Sequence, residues 1–264
     1  MDAARASEAA GRLVAARRTR RPVDSALADG APADLDEAYA IQAASLEAIL
    51  ADAGGARIGY KIGCSSEAAQ KLLGLDAPFH GALLSTYAHA SPARLAADAL
   101  HIRVLEPEIA FRLGADLPAG GAPYDAVSVR PAIAAVMGAI EVVDSRFVDW
   151  LTAGALNLVA DNASAGHWVY GAESADVGAI NYETHPVVLS LNGEVRERGV
   201  AGNALGSSLK ALTWLANELA TRGGGLRAGD LVTTGTCTAV IPAEKGDTAT
   251  ADFGVLGQVT VAFD

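Results

Sequence analysis

The chain has 264 residues, enough for one large domain or two small ones, and 51% of them are hydrophobic, enough to fill a sizeable core. A net charge of −11 argues against a nucleic-acid partner, because a phosphate backbone calls for clustered Lys and Arg. No apolar run approaches a membrane span, and residues 1–20 carry Asp2, Glu8 and several Arg without the apolar core of a secretory leader, so no membrane partner and a cytoplasmic location are expected.

Residues 3–18 place Ala, Leu and Val at helical spacing. The basic cluster Arg17-Arg18-Thr19-Arg20-Arg21 closes that helix, where its dipole favours cations. Asp34 caps a second helix, with Glu37 three residues on, running to about Asp52 before Gly54-Gly55 ends it. Residues 1–56 thus read as a helical N-terminal segment, and residues 57–264 as a β-rich catalytic domain, the two forming one compact unit. Residues 57–64 read as a strand. Ser65 or Ser66 caps a short helix through Leu73, stopped by Gly74. Strand regions follow at about 99–113 and 133–143, then a helix over 148–160 and a polar turn over 161–166. Asn192-Gly193 after the apolar run 187–191 signals a hairpin. Ser207 or Ser208 opens a helix through about Thr221, ended by Gly223-Gly224-Gly225. Residues 231–234, 248–253 and 258–263 read as closing strands. Strands grouped between segregated helices indicate an α+β fold. No dinucleotide-binding glycine fingerprint and no P-loop appear. Cys64 and Cys237 read as reduced core fillers.

The segment Leu105-Glu106-Pro107-Glu108-Ile109-Ala110-Phe111 sets two carboxylates two residues apart, hence on one face of a strand. Glu141 sits in a second apolar run, Ala139-Ile140-Glu141-Val142-Val143. Buried carboxylates are costly unless compensated, and three hard oxygen donors suit Mg²⁺ or Mn²⁺. The competing reading makes Glu106 and Glu108 the wet face of an amphipathic strand and Glu141 a separate ion-pair partner. Lys61 lies among Gly, Ile and Tyr. Burial would pull its pKa down into the range of proton exchange, whereas a Lys at a strand end simply reaches solvent. Asp144-Ser145-Arg146, Asp161-Asn162-Ala163-Ser164 and Thr233-Thr234-Gly235-Thr236-Cys237-Thr238 are further polar blocks. The last has hydroxyls and backbone N–H groups able to grip an anion.

Taken in order, Gly59-Tyr60-Lys61-Ile62-Gly63, the Glu106/Glu108 segment, Ile140-Glu141-Val142-Val143-Asp144-Ser145-Arg146, Val159-Ala160-Asp161-Asn162-Ala163-Ser164 and Thr234-Gly235-Thr236 resemble the 2-oxopent-4-enoate hydratases and 4-oxalocrotonate decarboxylases of the fumarylacetoacetate hydrolase superfamily. The resemblance runs from about residue 33 to the end. It implies a mixed β-roll with flanking helices, a homo-oligomer, and Glu106, Glu108 and Glu141 as ligands of Mg²⁺ or Mn²⁺. It makes Lys61 a catalytic residue, and Ser164, Thr236, Arg146 and Asp161 become candidates for substrate binding. The expected substrate is a small 2-oxo or 2-hydroxydienoate acid, and the expected reaction is hydration to a 4-hydroxy-2-oxo acid. Decarboxylation of an oxalocrotonate-like diacid, hydrolysis of an acylpyruvate and non-catalytic binding of 2-oxo acids are the alternatives. One block departs from the pattern: many hydratases of this type carry an acidic residue where this chain reads Pro78-Phe79-His80-Gly81. His80 is the candidate replacement base, since an ordinary His titrates near neutrality.

Overall fold

The computed structural model describes residues 1–264. Two long helices open the chain, α1 (Ala3–Thr19) and α2 (Leu35–Ala53). Asp2 and Asp34 cap them, their carboxylates accepting from the amides of Arg5 and Glu37. α1 packs on α2, and α2 on the short α5 (Ala155–Ala160). Leu13 and Ile41 of the helices share an apolar cluster with Phe79, Phe147 and Leu158, so the N-terminal segment and the remainder are joined by a common core.

The larger sheet is mixed. Its main path runs β2 (Phe79–Leu84), β1 (Arg57–Gly63), β10 (Leu231–Thr236), β5 (Val104–Leu113), β6 (Ile133–Val143), β7 (Ala165–Tyr170) and β3 (Ala88–Ala90). A short β11 (Ile241–Pro242) adds to β5. β1 runs parallel to β10 and β3 parallel to β7, while the other pairs on the path are antiparallel. β2 also touches β7, so the sheet curls into a roll. Leu83, Ala110, Met137, Ala139 and Trp168 fill its inside. The alternate residues Ile109, Phe111, Val136 and Ile140 point outward into the main core.

That core is closed by a second sheet, β4 (Ala93–Leu95), β13 (Gln258–Phe263), β12 (Thr248–Asp252), β8 (Pro186–Leu191) and β9 (Glu194–Val200), and by α6 (Ser208–Thr221). Gly138 on β6 admits the ring of Phe253, where a Cβ would stand 2.3 Å from it. α3 (Glu67–Leu73) buries no side chain, and α4 (Ala126–Val129) is a single capped turn.

The α+β roll with flanking helices agrees with expectation. The helix expected over 148–160 is confined to Ala155–Ala160, since Gly154 takes φ +83° just before it. β5 begins at Val104, later than the expected 99. Phe79–Leu84, for which no element was expected, is a strand.

Candidate active site

Glu106 and Glu108 project from one face of β5, and the strand register sets Glu106 directly opposite Glu141 on β6. One carboxylate oxygen from each of the three lies within 4.8 Å of the others. Like charges directly across a sheet repel, so this arrangement is unfavourable in isolation. One oxygen of each buried glutamate is already engaged. Glu108 Oε2 accepts from Thr233 Oγ1 and from the Gly235 amide at 3.0 Å. Glu141 Oε1 stands 2.9 Å from Lys61 Nζ. The remaining oxygens, Glu108 Oε1 and Glu141 Oε2, are buried without a hydrogen-bond partner. Leaving such atoms unpaired costs several kcal/mol in principle, and roughly more for charged groups. Glu106 is only half-buried and faces the cleft described below. Free hard oxygens, close approach and surplus negative charge all fit a divalent cation held by Glu106, Glu108 and Glu141.

The electrostatics follow from the burial. Burial first, then the charges of Glu141 and Glu106, raise Glu108 well above the ordinary carboxylate range. Burial raises Glu141 to about 7, although Lys61 draws it back. For Lys61 burial works against the charge, but Glu141, Glu106 and Glu108 outweigh it and the pKa rises. The downward shift expected from burial is therefore reversed: with three carboxylates around it, Lys61 stays an ammonium.

A strained turn completes the floor. Asn162, Ala163 and Ser164 have φ of 52°, 54° and 56°, three consecutive left-handed residues without a glycine. Such residues persist only where their surroundings hold them. Asn162 clamps the turn to β2 through two bonds with the backbone of Ala82, at 2.7 and 3.0 Å. The turn then aims the Ala163 carbonyl at Lys61 Nζ, 3.0 Å away, and brings Ser164 to the cleft wall with its buried hydroxyl unpartnered. The cleft has a volume of about 240 Å³. Lys61, Glu106 and Ser164 line its polar end, and Leu72, Phe79, Trp150, Leu151 and Val240 its walls.

Residues 68–263 match the family model described as fumarylacetoacetate (FAA) hydrolase C-terminal. The chain belongs to the fumarylacetoacetate hydrolase family. Among curated members, a 2-keto-4-pentenoate hydratase of Burkholderia vietnamiensis is 36% identical over 98% of this chain and 94% of its own length. A 4-oxalocrotonate decarboxylase of a Pseudomonas species is 32% identical over 78% of this chain and 77% of its own. The solved 4-oxalocrotonate decarboxylase of Pseudomonas putida G7, complexed with magnesium and adipate, superposes with a TM-score of 0.93 at 28% identity, covering 100% of this chain and 99% of that one.

Within this family frame, not every expected residue stands at the cleft. Arg146 and Asp161 are buried in each other's company. The Arg146 guanidinium binds the Asp161 carboxylate and backbone carbonyl and reaches Asp144, so neither residue is free for a substrate. Thr236 Oγ1 donates to the Thr238 carbonyl at 3.1 Å and does not line the cleft. His80 pairs with Ile62 across β1 and β2, and its side chain therefore lies on the sheet face opposite Lys61. It stacks on Tyr39, with ring centroids 4.6 Å apart. Burial and the charge of Arg222 lower it to about 4, so it is neutral at pH 7 and out of reach as the replacement base. Cys64, expected in the core, lines the cleft instead, while Cys237 is buried.

Sequence reasoning singled out the threonine-rich block but not which of its groups act, and these are Thr233 and the Gly235 amide. The anion gripped by the threonine-rich block is the chain's own Glu108. Nothing in the composition separates Thr233 from its neighbours, but its register opposite Ala110 does. Gly235 has φ +104°, and a Cβ there would meet Ser65 Oγ at 2.0 Å, so glycine is required where the amide turns toward Glu108.

Proposed function

We propose that this protein is a divalent-metal-dependent hydro-lyase acting on a 2-hydroxypenta-2,4-dienoate-like acid. In the reaction, protonation of the dienol gives an unsaturated 2-oxo acid, and water adds at C4 to give a 4-hydroxy-2-oxo acid. The observation that carries the reading is the trio of Glu106, Glu108 and Glu141, with two unpartnered oxygens, beside a cationic Lys61. Bound there, Mg²⁺ or Mn²⁺ would supply a Lewis acid for the carboxylate and adjacent oxygen of the substrate.

The chain's own groups account for the rest. Lys61, held by Glu141 and the Ala163 carbonyl, is a fixed positive charge that attracts the substrate carboxylate and steadies negative charge developing near it. Its raised pKa suits it to holding a proton rather than acting as a base. The free hydroxyl of Ser164 can orient a substrate oxygen or the attacking water. The apolar walls keep bulk water from the enol.

Decarboxylation of an oxalocrotonate-like diacid is the second reading, supported by the likeness to the Pseudomonas putida enzyme over the full chain. The cleft weighs against it: Lys61 is its only cationic lining residue, which leaves no partner for a second carboxylate. A cytoplasmic homo-oligomer completes the proposal. No helix is long and apolar enough to cross a membrane. The test is to mix metal-loaded protein with 2-hydroxypenta-2,4-dienoate. Loss of the dienol absorbance with formation of 4-hydroxy-2-oxopentanoate is expected. Carbon dioxide released from oxalocrotonate, with the dienoate untouched, would transfer the assignment to the decarboxylase.

A further inference from the structure

We infer that the cleft takes a 2-hydroxydienoate whose far end carries an uncharged apolar substituent, and that Leu72, Trp150, Leu151 and Val240 set this preference. The inference rests on the hydratase reading and extends it to the part of the substrate that does not react.

Charge is the first argument. Lys61 and Glu106 are the only charged side chains lining the cleft, and both belong to its polar end. The opposite walls are aliphatic and aromatic, from α3, from the segment after β6 and from the turn after β10. A carboxylate placed there would find no counter-ion in the lining, whereas an alkyl or aryl group would cover apolar surface that is otherwise left in water.

Exposure is the second. Leu72 is 73% exposed, Leu151 56% and Val240 42%. They are three of the nine large apolar side chains that the chain leaves in water, and they meet at one mouth although far apart in sequence. Isolated exposed apolar residues need no explanation, but a group of them rimming a cleft marks a binding surface. Size is the third. The cleft's volume of about 240 Å³ compares with roughly 10–15 Å³ for a site that holds one water, which leaves space for a substituent on the acid. A substrate tail, rather than a second copy of the chain, is the occupant, because Leu72, Leu151 and Val240 line the same cleft as Lys61, Glu106 and Ser164.

Calorimetry of Mg²⁺-loaded protein with unreactive, saturated 2-oxo acids tests this without turnover. From pyruvate to 2-oxooctanoate, Kd should fall about fourfold per added methylene until the cleft is filled. 2-Oxoadipate should bind at least about tenfold more weakly than 2-oxohexanoate, its equal in length. In a Leu151→Ser, Val240→Ser variant the gradient should shrink to under about twofold per methylene, and Leu72→Lys should narrow the gap between the two six-carbon acids. A flat chain-length series, or equal binding of diacid and monoacid, overturns the inference. So does a double variant that alters the oligomeric state and leaves the gradient intact, which would make the patch a subunit surface. A steep gradient in a protein that hydrates no dienoate would sink the hydratase reading alone.

Discussion

Two clusters of buried charge lie a few residues apart on the same strand and its continuation, and they are built to opposite plans. In the first, Asp144 and Asp161 surround Arg146, with Arg17 close by, so charges balance. Its carboxylates are also well bonded: Asp144 Oδ1 accepts from the amides of His101 and Ile102 at 2.8 and 3.0 Å, and Asp161 Oδ2 from the amide of Arg146 at 3.0 Å. Burial alone would raise Asp144, but His101, Arg146, the Ile102 amide and Arg17 bring it down to about 2. In the second, three glutamates face one lysine, so that full ionisation would leave two negative charges unanswered, and two oxygens are unbonded. A saturated cluster is architecture, whereas a cluster short by two positive charges is a place for a divalent cation.

Breaking the two clusters should show in different measurements. The largest effect is expected for Glu108→Ala, which should lower kcat/KM by roughly a thousandfold and abolish Mg²⁺ binding in calorimetry. Arg146→Met should next cost roughly 3–5 kcal/mol of stability in urea titration, because it strands two buried aspartates. Mg²⁺ affinity of the protein that remains folded should be preserved.

The contrast sharpens with pH. Glu141 has a folded pKa of about 7, above its unfolded value, so its contribution to stability is full below about 4.5 and is lost as pH rises through 7. Metal-free protein should therefore lose on the order of 2–3 kcal/mol across that interval relative to Glu141→Gln, and saturating Mg²⁺ should remove the difference. Thermal melts of the two proteins in EDTA and in Mg²⁺ would read it. No slope between them would mean that Glu141 is ionised without cost. The smallest effect belongs to Thr233→Val, which deprives Glu108 of one donor. Its Mg²⁺ affinity should fall about tenfold with the fold intact.

The spacing of Glu106 and Glu108 and the apolar run around Glu141 were legible because a strand repeats every two residues and buried acids are rare. Their convergence was not, because it depends on the pairing of β5 with β6, a non-local choice that local pattern leaves open. The same blindness explains Arg146 and Asp161: each was recognised as an unusual polar residue, yet only the fold shows that they are partners. The place of His80 was not legible because the fully buried β2 lacks the alternation that identifies a strand. The run Asn162, Ala163, Ser164 carried a polar-turn signature, but nothing in three non-glycine residues announces three positive φ values.

The pairing of Glu106 with Glu141 also bears on how the chain settles into shape. A slip of one residue between β5 and β6 would turn Glu106 and Glu108 outward, into the layer occupied by Ile109 and Phe111. Only the in-register roll gathers all three acids, so an ion captured there rewards correct strand alignment and none of its neighbours. A divalent cation bound by the three acids would thus stabilise the in-register sheet over its shifted alternatives.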